Sequence, residues 1–190
     1  MELNDISHSV FINYPTLMPR FTNHKRVSLS VVQRLDEPLN CCPSLHIAYS
    51  VMLDNISHMI LGGNKQYDSI LKSIKYSTLR MMNSVLYVKQ HSLMDIAFGI
   101  LCSKIMFEKY YNFEFNNFLS EMKLQQNDHP EIDYDEIETI FNDAFEIYQR
   151  TQCFEKTLAE YLKANGYQKV SSLYEAPAHS YFDTLESKII

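Results

Sequence analysis

The sequence predicts an all-α protein, a helical bundle. Three observations carry this. Glycine and proline are scarce: four and six among 190 residues, together about 5% against a usual share of roughly 12%. Long segments therefore run without a breaker. Within them, apolar residues return every three or four positions, the period of a helix with one buried side. Finally, the chain divides in texture. Pro15, Pro19, Pro38 and Pro43 punctuate residues 1–43, where no long helix is expected, and from Ser44 onward the helical spacing takes over.

The elements follow in order. Ser44 is a candidate N-cap for a helix from Ser44 to about Met59, with Leu45, Ala48, Met52 and Ile56 at helical spacing. Gly62-Gly63-Asn64 ends it. Asp68 to about Lys89 is a second helix carrying Ile70, Leu71, Ile74, Leu79, Met82 and Leu86. A third, from about His91 to Tyr111, is apolar around much of its circumference, as buried helices are. Asn112 to Lys123 reads as a weak continuation of helix. Asp128-His129-Pro130 is a break. The next helix starts near Ile132 with acids in its first turns, which suits the helix dipole, and buries Ile137, Ile140, Phe141, Ala144, Phe145 and Tyr148. Phe154 to Asn165 is a last helix, with Gly166 as its natural C′ residue.

A chain of 190 residues with 46% hydrophobic residues suits one domain with a substantial core, or one domain with a small extension. Several classes are excluded. Gly62, Gly63, Gly99 and Gly166 cannot build a Walker loop or a dinucleotide fingerprint. The net charge of −6 argues against a nucleic-acid footprint. Cys41, Cys42, Cys102 and Cys153 form no CxxC and read as reduced thiols, which sets a cytoplasmic location as the expectation. The first residues show no basic stretch followed by an apolar one, so no signal peptide is expected. No transmembrane helix is expected either; the nearest approach, Leu93 to Phe107, carries Asp95 and Lys104. Asp133 to Glu136 lacks the glycine of a calcium loop and reads as an acidic helix start. His8, His24, His58, His129 and His179 are scattered and read as structural or solvent-facing. The aromatic residues between Phe107 and Phe118 read as core, or as the entrance for an apolar substrate tail.

Three segments carry chemistry together: Tyr14 to Arg20; Pro43-Ser44-Leu45-His46; and Ser84 to Asp95, which includes Lys89-Gln90-His91 and is followed by Gly99. Ser44 opens a helix, where free N–H groups and the dipole favour an anion. His46 falls in the first turn, within reach of an anion held there. His91 and Asp95, four residues apart, share a helix face. A carboxylate on one imidazole nitrogen fixes the tautomer and leaves the other nitrogen free to act as a nucleophile. Arg20 and Lys89 offer positive charge for phosphoryl transfer.

In order and spacing, these segments resemble the three signature motifs of the type 2 phosphatidic acid phosphatase superfamily, which also holds vanadium haloperoxidases and inositol phosphorylceramide synthases. The match is closest in PSxH, here Pro43 to His46, and in a serine seven residues before a histidine with an aspartate four after it, here Ser84, His91 and Asp95. Lys89-Gln90-His91 is similar to the inositol phosphorylceramide synthase branch. The resemblance covers roughly residues 14–100. It implies that His91 attacks phosphorus to form a phosphohistidine, that Asp95 orients it, and that His46 protonates the leaving oxygen. Arg20, Ser44, the Leu45 backbone, Lys89 and Ser84 would hold the phosphate oxygens. Neither a metal nor a cofactor is required.

The chain departs from the family pattern in three places. Asn13 stands at the usual lysine of the first motif, Phe21 at its proline, and Val85 at the arginine after the third-motif serine. Lys89, and Lys25 or Arg26, are the available replacements. The family's usual membrane-spanning helices also have no counterpart here.

The resemblance sets the expected organisation as a phosphatase-like helical core over residues 1–127 with an acidic helical extension over 128–190. The expected activity is metal-independent hydrolysis or transfer of a phosphomonoester or pyrophosphate group on a lipid, prenyl or small soluble substrate. It leaves peripheral membrane contact and homo-oligomers open. Vanadate-dependent halogenation is the rival among enzymes, and calls for more basic ligands than this chain offers. The rival from another class is a helical interaction protein that keeps the motif residues as a relic.

Overall fold

A computed structural model describes residues 42–88 and 90–166. Among them there is no strand. The elements are α1 (Leu45–Leu61), a 3-10 turn (Lys65–Tyr67), α2 (Asp68–Tyr87), α3 (Leu93–Tyr110), the short α4 (Leu119–Lys123), α5 (Tyr134–Thr151) and α6 (Phe154–Ala164). The all-α expectation holds. Arg20, Lys25, Arg26, Lys89 and Cys41 lie outside the described residues, as do the first-motif positions Asn13 and Phe21. No helix among the described residues is long and apolar enough to cross a membrane.

α3 is the centre of the bundle. It packs against α1 on one side and α5 on another; α2 pairs with α1, and α4 and α6 pack on α5. Its sequence explains that position. Ile96, Ala97, Phe98, Ile100, Leu101 and Cys102 are all fully buried, so apolar groups face outward in every direction and need neighbours around the whole helix. Phe98 meets the rings of Phe154 and Tyr161 edge-on, with centroids 5.9 and 5.4 Å apart, which brings α6 onto the same core. α5 is the opposite type, apolar along one stripe of Ile137, Ile140, Phe141 and Ala144, with acids elsewhere. Asp133 caps it by accepting from the Glu136 amide at 2.9 Å. Asp135 and Glu136 sit in the first turn and Arg150 in the last, matching the dipole at both ends. Ile137, Ile140, Phe141 and Ala144 belong to the same core cluster as residues of α1, α2 and α3.

Three boundaries differ from the expectation. α2 ends at Tyr87, so Val88, Gln90 and His91 lie beyond it in a connection. α3 starts at Leu93, leaving His91 just outside it. Residues 111–118 are not helical. Asn55 on α1 explains why: its side-chain amide donates to the Asn116 carbonyl at 3.0 Å, and its carbonyl oxygen accepts from the Asn116 amide at 2.8 Å. That clamp gives the backbone of the segment partners outside a helix, so it runs as a loop across α1. Phe118 then takes a left-handed conformation, φ 62°, and buries its ring completely. Gly166 has φ 74° after the Asn165 cap, as expected for a C′ glycine.

Candidate active site

Ser44 stands at the start of α1 with its side chain accepting from the Ile47 amide at 3.4 Å. It is fully buried because the beginning of α1 rests on α3: the Ser44 amide donates to the Asp95 carbonyl at 3.1 Å. A turn later, Ser103 on α3 donates its hydroxyl to the Ala48 carbonyl. Two bonds, eight residues apart on α3, thus lock the first turn of α1 against it. Leu45 is half-buried at the start of that turn, and His46, the next residue, is exposed.

His91 approaches from the other side. The connection after α2 folds back through the Gln90 and His91 amides, both donating to the Val85 carbonyl at 3.0 and 3.3 Å. This brings the His91 ring beside His46, with centroids 5.7 Å apart and planes at 65°. His91 is nearly buried, 8% exposed. Its Nδ1 lies 3.5 Å from the Asp95 carboxylate, in ion-pair range but without a formed hydrogen bond among the described residues.

The reason for that loose pairing is local. Ser92 caps α3, accepting from the Asp95 amide at 3.3 Å, while Asp95 Oδ2 accepts from the Ser92 amide at 2.8 Å. This is a capping box, the motif written by a serine followed three residues later by an acid. That spacing is present in the sequence at Ser92 and Asp95. It changes how His91 and Asp95 meet. They do not share a helical face, since His91 precedes the cap; the cap turns the carboxylate back toward it.

The four residues Ser44, His46, His91 and Asp95 therefore converge, drawn from α1, from the connection and from α3. Ser84 is exposed on α2, and Val85 beside it is buried in the core. Arg20 and Lys89 lie outside the described residues. Among the described residues no group of three or more His, Cys, Asp or Glu side chains is placed to hold a metal ion. Burial pushes the Cys102 thiol up to about 12, so it is no nucleophile at neutral pH.

The arrangement supports proton transfer and nucleophilic attack. The Asp95 carboxylate lies 3.5 Å from Nδ1 of His91; a hydrogen bond closed there would leave Nε2 as the nitrogen with a lone pair. At the start of α1 the Ser44 and Ile47 amides are already engaged, which leaves those of Leu45 and His46 as the helix-start donors toward an anion. The two imidazoles meet edge to face, close enough to serve one reacting group at their shared rim.

A second polar cluster, unread as such in the sequence, sits further along α1. The His58 Nδ1–H lies 3.0 Å from the Asp54 carbonyl and 3.1 Å from its carboxylate. Asp54 is 1% exposed, and burial pushes its carboxyl above the ordinary value against the opposing pull of His58 and Lys75. Nearby, Lys75 on α2 donates to Glu121 at 2.8 Å, and Asn116 donates to the same carboxylate at 3.0 Å. Partial burial pushes Glu121 up, but the hydrogen bonds from Lys75, Asn116 and Ser120 outweigh it and hold the carboxyl at about 2.

No protein-family model, curated protein or solved structure matches the chain.

Proposed function

We propose that the chain is a phosphatase or phosphotransferase of the type 2 phosphatidic acid phosphatase kind, with a core like that family's, working on a phosphomonoester or pyrophosphate through a phosphohistidine. The observation that supports this reading is the meeting of His46 and His91, 45 residues apart in sequence, with centroids at 5.7 Å beside the capped start of α1. Nε2 of His91 attacks phosphorus, the bond to the leaving oxygen breaks, and His46 gives that oxygen its proton. Water then attacks the phosphohistidine with His46 as base, releasing phosphate and restoring His91. Asp95 steadies the imidazolium that forms. Ser44 and the Leu45 backbone hold phosphate oxygens, and Arg20, Lys89 and Ser84 complete the ligand set in this reading.

One observation favours the second reading, a catalytically silent helical interaction protein. The Asp95 carboxylate is already engaged by the Ser92 amide, and His91 Nδ1 stands at 3.5 Å without a hydrogen bond. A relic site would drift in this way.

Turnover of p-nitrophenyl phosphate, with orthovanadate as competitor, separates the two. The enzyme reading expects hydrolysis that vanadate suppresses and His91→Ala abolishes. Absence of turnover together with absence of vanadate binding, followed through the imidazole NMR signals, rejects it.

A further inference from the structure

Gly99 lies on α3 one turn after Asp95, where α3 faces the start of α1. A Cβ placed on it would come 2.9 Å from the Ser44 carbonyl oxygen and 3.0 Å from Ile47 Cβ, with Ile47 Cγ2 at 3.3 Å. The first is closer than non-bonded atoms tolerate and belongs to backbone that cannot swing aside; the other two are tighter than ordinary contacts and would need Ile47 to yield by a few tenths of an ångström. The Ser44 carbonyl also accepts the first bond of α1, from the Ala48 amide at 2.9 Å. On either side of Gly99 the helices are pinned, by Ser44 to Asp95 and by Ser103 to Ala48. A methyl at Gly99 therefore cannot be relieved by rotating a side chain. It lifts the first turn of α1, and that turn carries His46.

We propose that Gly99 is a positioning residue for the two-histidine site: the missing side chain lets α1 seat on α3 at the separation that sets the distance between His46 and His91. The catalytic half of this inference rests on the phosphoryl-transfer reading; the geometric half does not. Glycine in a helix interior costs roughly 1 kcal/mol relative to alanine, so a purely structural accounting would favour alanine wherever the space allowed it. The closeness of the Ser44 carbonyl supplies the reason that it does not.

Two variants and two readouts test it. Gly99→Ala widens the seat. Ile47→Val is the control, because it deletes only Cδ1 and keeps the Cβ and Cγ2 that face Gly99. It weakens the core by about 0.5–1.5 kcal/mol without moving the contact. The imidazole NMR signals of His46 and His91 should shift in Gly99→Ala and stay in place in Ile47→Val. With p-nitrophenyl phosphate, kcat should fall about 10-fold in Gly99→Ala, in line with the steep cost of small misplacements, with KM changed far less. Ile47→Val should keep its kcat.

An active native chain with unchanged kcat in Gly99→Ala overturns the inference and leaves the phosphatase reading standing. An inactive native chain overturns that reading instead, and the imidazole signals then decide alone: shifted signals uphold the spacing role, unmoved signals overturn it. If Gly99→Ala does not fold, Ile47→Ala loosens the same seat from α1 by removing every side-chain atom beyond Cβ, Cγ2 included, and its imidazole signals should shift where those of Ile47→Val do not. Unmoved imidazole signals in that variant would equally overturn the inference.

Discussion

α1 reaches two Asp–His pairs, one near each end, and they are built differently. Near its last turn, His58 and Asp54 belong to the helix itself. The Nδ1–H of His58 has two acceptors at 3.0 and 3.1 Å, and beside the pair Lys75, Glu121 and Asn116 knit α2, α4 and the 111–118 loop together. At its first turn, His91 and Asp95 come from a connection and a helix cap. There Nδ1 has no formed hydrogen bond, and the nearest ring is another imidazole. The same two residue types at the same spacing thus serve two ends. His58 is held by two acceptors on its own helix, while Asp54 Oδ1 beside it has no hydrogen bond among the described residues. His91, short of a hydrogen bond and beside a second histidine and a helix start, is the one that the proposed phosphoryl transfer uses.

The largest expected difference between the two is in turnover. His91→Ala should reduce phosphatase activity to background for every substrate, because the nucleophile is gone. His58→Ala should leave kcat close to native and instead lower the unfolding temperature. Reversed outcomes, loss of activity with His58→Ala alone, would move the site to the other end of α1.

The next effect divides the two histidines of the site. His46→Ala should cost about 10²–10⁴-fold on an alkyl phosphate, whose leaving oxygen needs a proton in the transition state. It should cost much less on p-nitrophenyl phosphate, whose leaving group departs as an anion. Equal losses on both substrates would take the general-acid role from His46.

Stability against pH sharpens the structural end of the comparison. The Glu121 carboxyl is held at about 2, below its unfolded value near 4.5, so its contribution is full above 4.5 and fades as pH falls toward 2. Glu121→Gln should therefore be less stable than the native chain at pH 7, by about 1 kcal/mol for so partly exposed a group, with the gap closing between pH 4.5 and 2. Asp54 acts in the opposite sense. Burial raises its carboxyl above the unfolded value of 3.8, so its favourable contribution is full below that value and is lost as pH rises. Asp54→Asn should gain on the native chain as pH climbs from about 4, the smallest of these effects because the amide oxygen can still accept from His58. Chemical denaturation at a series of pH values checks both.

The sequence made some of this legible and hid the rest for identifiable reasons. Helical spacing located α1, α2, α3, α5 and α6 within a few residues, since each has either an apolar stripe or apolar groups on all sides. Ser44 was readable as a cap because it follows a proline and precedes an apolar repeat. The 111–118 loop was not readable: its aromatic residues have helical spacing, and what undoes the helix is Asn55, some 61 residues earlier. Ser84 and Val85 were placed in one motif by spacing, yet neighbours on a helix point to different sides, and the core claimed Val85. The pairing of His46 with His91 was an expectation of motif order, and the distance between them depends on Gly99, whose contact with α1 no local pattern records. Asp95 shows the limit most clearly, for one carboxylate caps a helix and faces a histidine, and spacing alone displayed only the second role.

The most direct test is to look for the covalent intermediate. The native chain is mixed with ³²P-labelled pyrophosphate or an aryl phosphate, quenched in base to preserve phosphohistidine, and mapped by peptide mass spectrometry. The account predicts a single acid-labile phosphoryl group on His91, present also in His58→Ala and absent from His91→Ala. Turnover without any phosphoryl group on His91, or a label that settles on another residue, would contradict it.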